Sequence, residues 1–374
     1  MNNEWAFLPM RDSTPLLGDA SALRQRMEQD GYLYLRRLLD RDRLLELRRK
    51  ILEVLAQYGW IAGGEWLLEA VPIRPPLDEN HKDFAEAYDA VQRIEEFHAL
   101  AHAPDLVAVM QQVLGPTAFP HPLKIARLAF PANDELTTPP HQDYPNNQGT
   151  PRLTASWIPL GDCPTLLGPL ALLRGSHHFG VLPLEAHPGA GNRQARIPLA
   201  MREALRWVTT EFAVGDVLLF TSLTVHAALH NASEVYMRLS VDFRYQEEGE
   251  ELTAPCLEPH FGRQSWERVY AGWTSPRWQY YWKALDYRVV PFRDLPLQGA
   301  GAPPFPNSAG TGSVSVGDAF REAVASGAVE LTRREWFDLL RAASRREERS
   351  RRCLERGRAL LAERKATRAA TKEG

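Results

Sequence analysis

The sequence Pro140-His141-Gln142-Asp143-Tyr144-Pro145 carries the most specific chemical signal in this chain of 374 residues. Side chains alternate along a β-strand, so His141 and Asp143 point to the same face if the stretch is extended. An imidazole and a carboxylate are two of the ligands that catalytic metal sites commonly use. The stretch therefore predicts a metal site that needs one more ligand.

His226 is the best candidate for the third ligand. It follows the β-rich run 217–220, which the turn pair Gly215-Asp216 opens. His230 competes with it for this role. Two imidazoles and one carboxylate on one face of a metal leave the opposite positions open, as in non-haem Fe(II) oxygenases. The pattern therefore predicts an iron site with room for reactants.

Arg238, in the next hydrophobic stretch at 236–243, supplies the second part of such a site. An oxygenase of this type takes electrons from an organic co-substrate, and enzymes that use 2-oxoglutarate hold its distal carboxylate with an arginine. A planar guanidinium binds a carboxylate through two parallel hydrogen bonds. Arg244 competes with Arg238 for this role.

The order of these motifs resembles the phytanoyl-CoA dioxygenase family of Fe(II)/2-oxoglutarate oxygenases. The resemblance covers residues 20–246, and the order is more specific than any one motif. In chain order, the matching residues are Asp30-Gly31-Tyr32-Leu33-Tyr34-Leu35 with the leucine-rich helix after it, His141-x-Asp143, the loop from Gly168 to His177, Gly215-Asp216-Val217, His226, Asn231 and Arg238. One departure is Leu166-Leu167, which replaces a polar pair of the family and weakens any substrate contact inferred there.

The resemblance implies a mainly β fold with flanking helices. Its centre is a double-stranded β-helix, or cupin-like jelly roll, in an oxygenase domain of residues 1–297 that includes the N-terminal helices. For residues 298–374, composition and pattern predict a linker rich in glycine and proline, followed by a charged C-terminal helical extension. Its interleaved charges are typical of a solvated helix, and its apolar stripe offers a surface for a homodimer.

The resemblance also implies the chemistry. Fe(II) is bound by His141, Asp143 and His226, and Arg238 anchors 2-oxoglutarate. The reaction uses O2 to convert 2-oxoglutarate to succinate and CO2, and it oxidises an unactivated C–H bond of a small organic substrate. Related halogenases have a small residue in place of the iron-binding carboxylate. Because Asp143 is present, hydroxylation, desaturation or ring formation is favoured, with hydroxylation first.

Lys124, Gln142 and Trp157 are further candidates for the co-substrate site. The run 122–130 alternates as a strand does, with Lys124 and Arg127 on opposite faces. A basic residue that enters the interior of a jelly roll is costly unless it pairs with an anion. The resemblance implies that Lys124 helps to bind 2-oxoglutarate, whereas the pattern fits a solvent-facing lysine equally well. Gln142 and Trp157 are close enough in sequence to line the site.

The N-terminal part of the chain is predicted to form helices around a short strand. A first helix, capped by Asp19 or Ser21, ends near Asp30-Gly31, and residues 32–35 are typical of a strand. An apolar stripe of leucine and isoleucine predicts a helix over 41–58 that packs on a sheet. Helical composition also marks residues 84–102 and 104–114.

The composition is that of an ordinary soluble globular protein, with 44% hydrophobic and 24% charged residues. A net charge of -3 gives no reason to expect nucleic acid or an acidic membrane as a partner. Three scattered cysteines, no signal-peptide pattern and no long apolar run predict a cytoplasmic protein. Aromatic residues between 266 and 287 either wall a substrate pocket or pack the cap of the barrel. They favour a specialised metabolite or a small apolar acid as the substrate.

Two other functions are compatible with the predicted ligands. Zinc bound by two histidines and a carboxylate, with water in the fourth position, is the centre of many hydrolases. A cupin-like binding protein that has lost turnover is the non-catalytic alternative. Arg238 argues against the hydrolase, because a hydrolase needs no clamp for a dicarboxylate.

Overall fold

The structure is a computed structural model that describes residues 7–77, 79–133, 137–186, 193–297 and 351–366. Its strands are β1 (Leu8–Pro9), β2 (Tyr32–Leu35), β3 (Phe119–Ala129), β4 (Thr154–Pro159), β5 (Leu170–Leu173), β6 (Leu184–Ala186), β7 (Arg193–Ala195), β8 (Trp207–Thr209), β9 (Val217–Thr221), β10 (His226–Ala228), β11 (Arg238–Gln246), β12 (Glu251–Thr253) and β13 (Arg288–Val290). Its helices are α1 (Ala20–Asp30), α2 (Arg41–Gln57), α3 (Lys82–Val91), α4 (Glu95–Leu100), α5 (Pro104–Val113), α6 (Tyr144–Asn147), α7 (Leu199–Ala204) and α8 (Trp266–Tyr270). The segment 351–366 is also helical and is named α9.

Two β-sheets form the centre of the fold. The major sheet has the strand order β2-β9-β4-β11-β3, and the minor sheet has the order β1-β8-β5-β10. Along the chain, β9, β10 and β11 alternate between the two sheets, which is the winding of a jelly roll. The predicted double-stranded β-helix with flanking helices is therefore confirmed.

Two hydrophobic clusters cover the two faces of the major sheet. The cluster between the sheets contains Tyr32, Tyr34, Trp157, Leu218 and Phe220 from the major sheet, with Leu170, Leu172 and Val208 from the minor sheet. The cluster on the other face joins Leu33, Leu35, Ile158, Leu219 and Val241 to buried leucines of α2 and α5. Because neighbouring residues of each strand point to opposite faces, both faces of the major sheet are buried.

The first helix begins and ends where the sequence predicts. The Asp19 side chain accepts a hydrogen bond from the Ala22 amide, and Gly31 ends α1 in the left-handed conformation, at φ 79°. The strand β2 follows directly, and all four of its residues are buried, as predicted. The helix predicted over 84–102 is divided into α3 and α4, because the backbone of Ile94 is extended.

The predicted C-terminal helical extension is present in α9. Arg356 pairs with Glu234 and Arg364 pairs with Glu69, while Gly357 lies against Val71. The predicted linker and the start of the extension lie outside the described residues. The domain boundary at residue 297 and the homodimer stay predictions. None of the described helices is long and apolar enough to cross a lipid bilayer.

Gly31 provides a test of how tightly the first helix is joined to the jelly roll. A Cβ atom at this position would lie 2.5 Å from Nδ1 of His177 and 2.7 Å from Oγ1 of Thr224. Gly59 has a similar left-handed backbone, but no atom lies within 4 Å of its Cβ position. We expect Gly59→Ala to lower the free energy of unfolding by about 1 kcal/mol and Gly31→Ala by about 3 kcal/mol.

Urea unfolding monitored by circular dichroism measures both changes. Both variants place an alanine in a left-handed backbone and share that strain. The difference between their losses of unfolding free energy therefore measures the crowding around Gly31. Equal losses in the two variants would contradict the packing of α1 against the loops that carry His177 and Thr224.

Candidate metal centre

His141, Asp143 and His226 converge in the interior of the jelly roll. One ligand atom from each residue lies within 4.8 Å of the other two, and all three side chains are buried. Nε2 of His141 is 4.0 Å from Oδ1 of Asp143, and Nε2 of His226 is 3.9 Å from the same oxygen. Among the described residues, this is the one group of its kind that could hold a metal ion.

The backbone positions the two histidines as a pair. The amide of His141 donates to the carbonyl of His226 at 2.9 Å, and the amide of His226 donates back at 2.9 Å. His141 thereby extends the minor sheet beside β10. The extended backbone assumed for His141 and Asp143 does not reach Asp143, which has a helical backbone (φ −72°, ψ −33°) and is the N-cap residue of α6. Its carboxylate still faces the two rings.

Hydrogen bonds orient both imidazoles for metal binding. Nδ1–H of His141 donates to the Pro139 carbonyl at 2.8 Å, and Nδ1–H of His226 donates to the Thr224 carbonyl at 3.0 Å. Each Nε2 therefore presents its lone pair to the centre of the cluster. Burial lowers the pKa of His141 to about 3 and also lowers the pKa of His226. Both rings are neutral at physiological pH, as metal ligands must be.

Arg244 holds the carboxylate of Asp143 with two hydrogen bonds. Nε donates to Oδ2 at 3.2 Å, and a terminal nitrogen donates to Oδ1 at 3.1 Å. Burial acts to raise the pKa of Asp143, but Arg244 and the two imidazoles outweigh it and hold that pKa below its usual range. Asp143 is therefore ionised. The same contacts show that Arg244, the rival of Arg238, already binds the carboxylate of Asp143.

Arg238 lies at the start of β11 and lines the cavity that contains His141 and Asp143. One terminal nitrogen donates to Oγ of Ser240 at 2.7 Å, and the guanidinium lies 5.7 Å from the ring of Trp157. Its buried Nε has no hydrogen-bond partner among the described residues. A buried guanidinium with unused donors fits the carboxylate end of a co-substrate.

The cavity has a volume of about 350 Å³. Its wall includes apolar side chains such as Leu123, Ile125, Phe130, Leu229 and Phe261. Its polar lining includes His141 and Asp143 of the metal cluster, and Glu79, which also lines the cavity, is engaged in an interaction of its own. The cavity is therefore suited to an organic molecule that is held at its polar end.

Lys124 does not lie in this cavity, contrary to the expectation that it helps to bind 2-oxoglutarate. It lies opposite Phe243 in the register of β3 and β11, on the face of the major sheet that the helices cover. Its ammonium donates to the carbonyls of His121 and Pro122 and lies 3.4 Å from the hydroxyl of Tyr281. The alternative of a solvent-facing lysine is also wrong, because Lys124 is only 1% exposed.

Gln142 and Trp157 lie close to the cluster but do not line the cavity. The side chain of Gln142 points away and donates to the carbonyls of Gly180 and Leu223. Trp157 is buried between the sheets, where its ring supports Arg238. His230 is outside the metal cluster, so the structure favours His226 over its rival.

The aromatic residues between 266 and 287 mainly pack against one another. Trp266, Tyr270 and Trp282 are buried in one cluster. The ring of Trp278 stacks on His102 with centroids 3.8 Å apart. The aromatic side chains that do line the cavity come from elsewhere in the chain and include Phe84, Tyr88 and Phe261.

Sequence reasoning missed Arg127 and Asp242 as residues of the site, and it treated Arg244 only as a rival of Arg238. Nε of Arg127 donates to Asp242 at 2.8 Å, and a nitrogen of Arg244 lies 3.8 Å from the same carboxylate oxygen. The period of two along β11 was a usable signal, because it places positions 238, 242 and 244 on one face.

A jelly roll that holds two histidines, an aspartate and a buried arginine around one cavity defines the class of non-haem iron oxygenases. The phytanoyl-CoA dioxygenase (PhyH) family model matches residues 27–239 of the chain. The chain therefore belongs to this family, and it is an iron- and 2-oxoglutarate-dependent oxygenase that uses O2.

Two curated relatives are similar over most of their length. The chain is 30% identical to the 1-deoxypentalenic acid 11-beta-hydroxylase of Streptomyces arenae, over 64% of this chain and 86% of that protein. It is also 30% identical to the enzyme of the same name from Streptomyces exfoliatus, over 63% of this chain and 84% of that protein.

Solved structures that resemble the chain include two enzymes of nogalamycin biosynthesis. The epimerase SnoN, in complex with Fe3+, α-ketoglutarate and nogalamycin RO, is 20% identical, with a TM-score of 0.46 over 62% of this chain and 84% of that chain. The α-ketoglutarate-dependent carbocyclase SnoK is 21% identical, with a TM-score of 0.44 over 64% of this chain and 88% of that chain.

The burial of Lys124 predicts a stability that depends on pH. Burial lowers its folded-state pKa to about 7 from the ordinary 10.5. The unfolded chain binds more protons between these values, so Lys124 costs stability at pH 7 and ceases to do so as the pH approaches 10.5. We expect Lys124→Met to raise the free energy of unfolding by about 2 kcal/mol at pH 7 and by less at pH 10.

Urea unfolding at both pH values tests this expectation. Lys82→Met is the control, because the Lys82 side chain is 79% exposed and its substitution should show no such pH dependence. A Lys124→Met variant that is destabilised equally at both pH values would contradict the assigned environment.

The contact between Arg244 and Asp143 predicts that metal ions offset the loss of the arginine. Without metal, Arg244 supplies the main countercharge for a buried carboxylate, so Arg244→Gln should lower the free energy of unfolding by about 3 kcal/mol. A bound divalent cation supplies that charge instead. We therefore expect saturating Mn²⁺ or Co²⁺ to stabilise Arg244→Gln more than it stabilises the wild type.

Thermal unfolding with and without metal measures this effect. Arg152→Gln serves as the control, since the Arg152 side chain is 57% exposed and its ion pairs are with Glu247 and Glu250. The same destabilisation of Arg244→Gln in the presence and absence of metal would show that Arg244 and the metal do not share Asp143.

Proposed function

We propose that the protein hydroxylates an unactivated C–H bond of a small organic substrate of specialised metabolism, with 2-oxoglutarate converted to succinate and CO2. In this proposal His141, Asp143 and His226 bind Fe(II), and Arg238 binds the distal carboxylate of 2-oxoglutarate. The observation that carries it is the position of the Arg238 guanidinium, which lines the same cavity as His141 and Asp143 of the metal cluster.

The donors of the cluster fit Fe(II). Two neutral imidazoles and one carboxylate suit a divalent metal of intermediate softness and occupy one face of it. When bound, Fe(II) and 2-oxoglutarate supply the activation of O2 that an unactivated C–H bond requires. The chain contributes by keeping the two Nε2 atoms and the carboxylate in place through the bonds to Pro139, Thr224 and Arg244.

Arg238 is prepared to hold a dicarboxylate in a fixed orientation. Its hydrogen bond to Ser240 positions one terminal nitrogen, and the guanidinium lies 5.7 Å from the centre of the Trp157 ring. Burial lowers the pKa of Arg238, but an arginine stays charged far above physiological pH. A charge-assisted, bidentate contact at this position would anchor one end of 2-oxoglutarate and leave its keto acid end to the metal.

The relatives support the class of substrate. The two curated relatives are named as hydroxylases of 1-deoxypentalenic acid, a small organic acid, and both come from Streptomyces. The apolar wall of the cavity fits a substrate with a hydrocarbon body. Neither a zinc hydrolase nor a non-catalytic binding protein is favoured, because neither explains a buried arginine beside the metal cluster.

Anaerobic titration of the Fe(II)-loaded protein with 2-oxoglutarate tests the assignment. We expect the weak visible band of an iron-chelated keto acid in the wild type. His226→Ala should lack this band because it lacks a metal ligand, and Arg238→Ala should need roughly tenfold or more 2-oxoglutarate to develop it. Succinate release in air, measured by mass spectrometry, should fall in parallel.

His230→Ala is the matched control for the metal ligand, since His230 lies outside the cluster. It should keep both the band and the release of succinate. Loss of the band in His230→Ala and its retention in His226→Ala would reverse the assignment. No band in the metal-replete wild type would overturn the proposed function.

A further inference from the structure

Arg127 is a second arginine of the cavity, on a different strand from Arg238. It belongs to β3, where it lies opposite Ser240 of β11, while Arg238 lies opposite Ala129. Both arginines line the cavity that contains the metal cluster. The side chain of Arg127 is 25% exposed, whereas Arg238 as a residue is only 5% exposed. Arg127 is therefore more exposed than Arg238.

The guanidinium of Arg127 is fixed on one side and free on the other. Its Nε donates to Oδ2 of Asp242 at 2.8 Å. Within the part of the chain that the structure describes, neither of its terminal nitrogens makes a hydrogen bond to protein. Four N–H donors of a positively charged group therefore remain available in the cavity.

Asp242 braces Arg127 without using up its charge. The same oxygen, Oδ2, lies 2.8 Å from Arg127 and 3.8 Å from Arg244, so one carboxylate serves two guanidinium groups. Asp143 has Arg244 as its own partner. A guanidinium that is oriented by a carboxylate behind it loses little entropy when it binds an anion in front.

The charged groups of the site balance one another. Arg127, Arg238 and Arg244 contribute three positive charges, and Asp143 and Asp242 contribute two negative charges. Glu79, which also lines the cavity and is engaged in an interaction of its own, contributes the third negative charge. The unused donors of Arg127, rather than a surplus of positive charge, therefore favour an anion at this position.

We propose that Arg127 binds a carboxylate group of the organic substrate and thereby sets the specificity of the enzyme for acids with an apolar body. This inference rests on the proposed function. The planar fork of the guanidinium matches a carboxylate through two parallel hydrogen bonds. The apolar wall formed by residues such as Leu123, Ile125 and Leu229 receives the hydrocarbon part.

The test compares an acid with a neutral compound of the same shape. The probes are 1-adamantanecarboxylate and 1-adamantanecarboxamide, added to the full chain loaded with Co²⁺ and 2-oxoglutarate, with the dissociation constants measured by calorimetry. We expect the wild type to bind the acid roughly tenfold or more tightly than the amide. In Arg127→Gln this preference should disappear, and in Arg127→Lys, which keeps a charge near Asp242, part of it should remain.

Arg263→Gln is the matched control. Nε of Arg263 donates to Asp89 at 3.0 Å and its side chain is 26% exposed, as for Arg127 with Asp242, but Arg263 does not line the cavity. This variant should keep the preference for the acid. An acid that binds the wild type no more tightly than the amide would overturn the inference, and so would an undiminished preference in Arg127→Gln.

Binding of 2-oxoglutarate separates this inference from the function on which it rests. If Arg127→Gln lost its affinity for 2-oxoglutarate, Arg127 would belong to the co-substrate site and the inference would be wrong, with the proposed function intact. If the wild type itself failed to bind 2-oxoglutarate, the proposed function would fail and the inference with it.

Discussion

The mutual backbone pairing of His141 and His226 is the constraint on which the site depends. Two hydrogen bonds of 2.9 Å join residues that are far apart in the chain, at the edge of the minor sheet. The pair fixes the separation of the two imidazoles before any metal binds. The polar groups around them, the carbonyls of Pro139 and Thr224, then determine which ring nitrogen faces inward. The sheet therefore preorganises the two imidazoles for metal binding.

The strand β11 contributes to both the hydrophobic core and the site. On one face it buries Leu239, Val241 and Phe243 in the cluster that includes the N-terminal helices. On the other face it carries Arg238, Ser240, Asp242 and Arg244. The hydrophobic face holds the register of β11 against β3 and β4, and that register determines which charged groups meet across the cavity. The cost of burying these charges is partly offset, because Asp242 lies 2.8 Å from Arg127 and Arg244 lies 3.1 Å from Asp143.

The sequence predicted those parts of the site that depend on local spacing. The ligands His141 and Asp143 are two residues apart, and the turn before β9 indicated His226. The jelly roll followed from the order of the motifs. Local spacing does not show how a strand is aligned with its neighbour, and this alignment determines on which face of the sheet each residue lies. The alternation of β3 separated Lys124 from Arg127, but only the pairing of Lys124 with Phe243 shows that Lys124 faces the helices and Arg127 the cavity. Gln142 was predicted to line the site because it is adjacent in sequence to His141 and Asp143, but its side chain points away from them.

Asp242 connects the two ends of the cavity. One of its oxygens contacts both Arg127 and Arg244, and Arg244 in turn holds Asp143, so a row of alternating charges leads from the open side of the cavity to the metal ligand. In this row Asp242 contacts Arg127 and Arg244, and Arg244 contacts Asp143. An anion that binds the terminal nitrogens of Arg127 leaves the contact between its Nε and Asp242 in place. The carboxylate of Asp143 is thus connected, through contacts of the protein alone, to the arginine at the open side of the cavity.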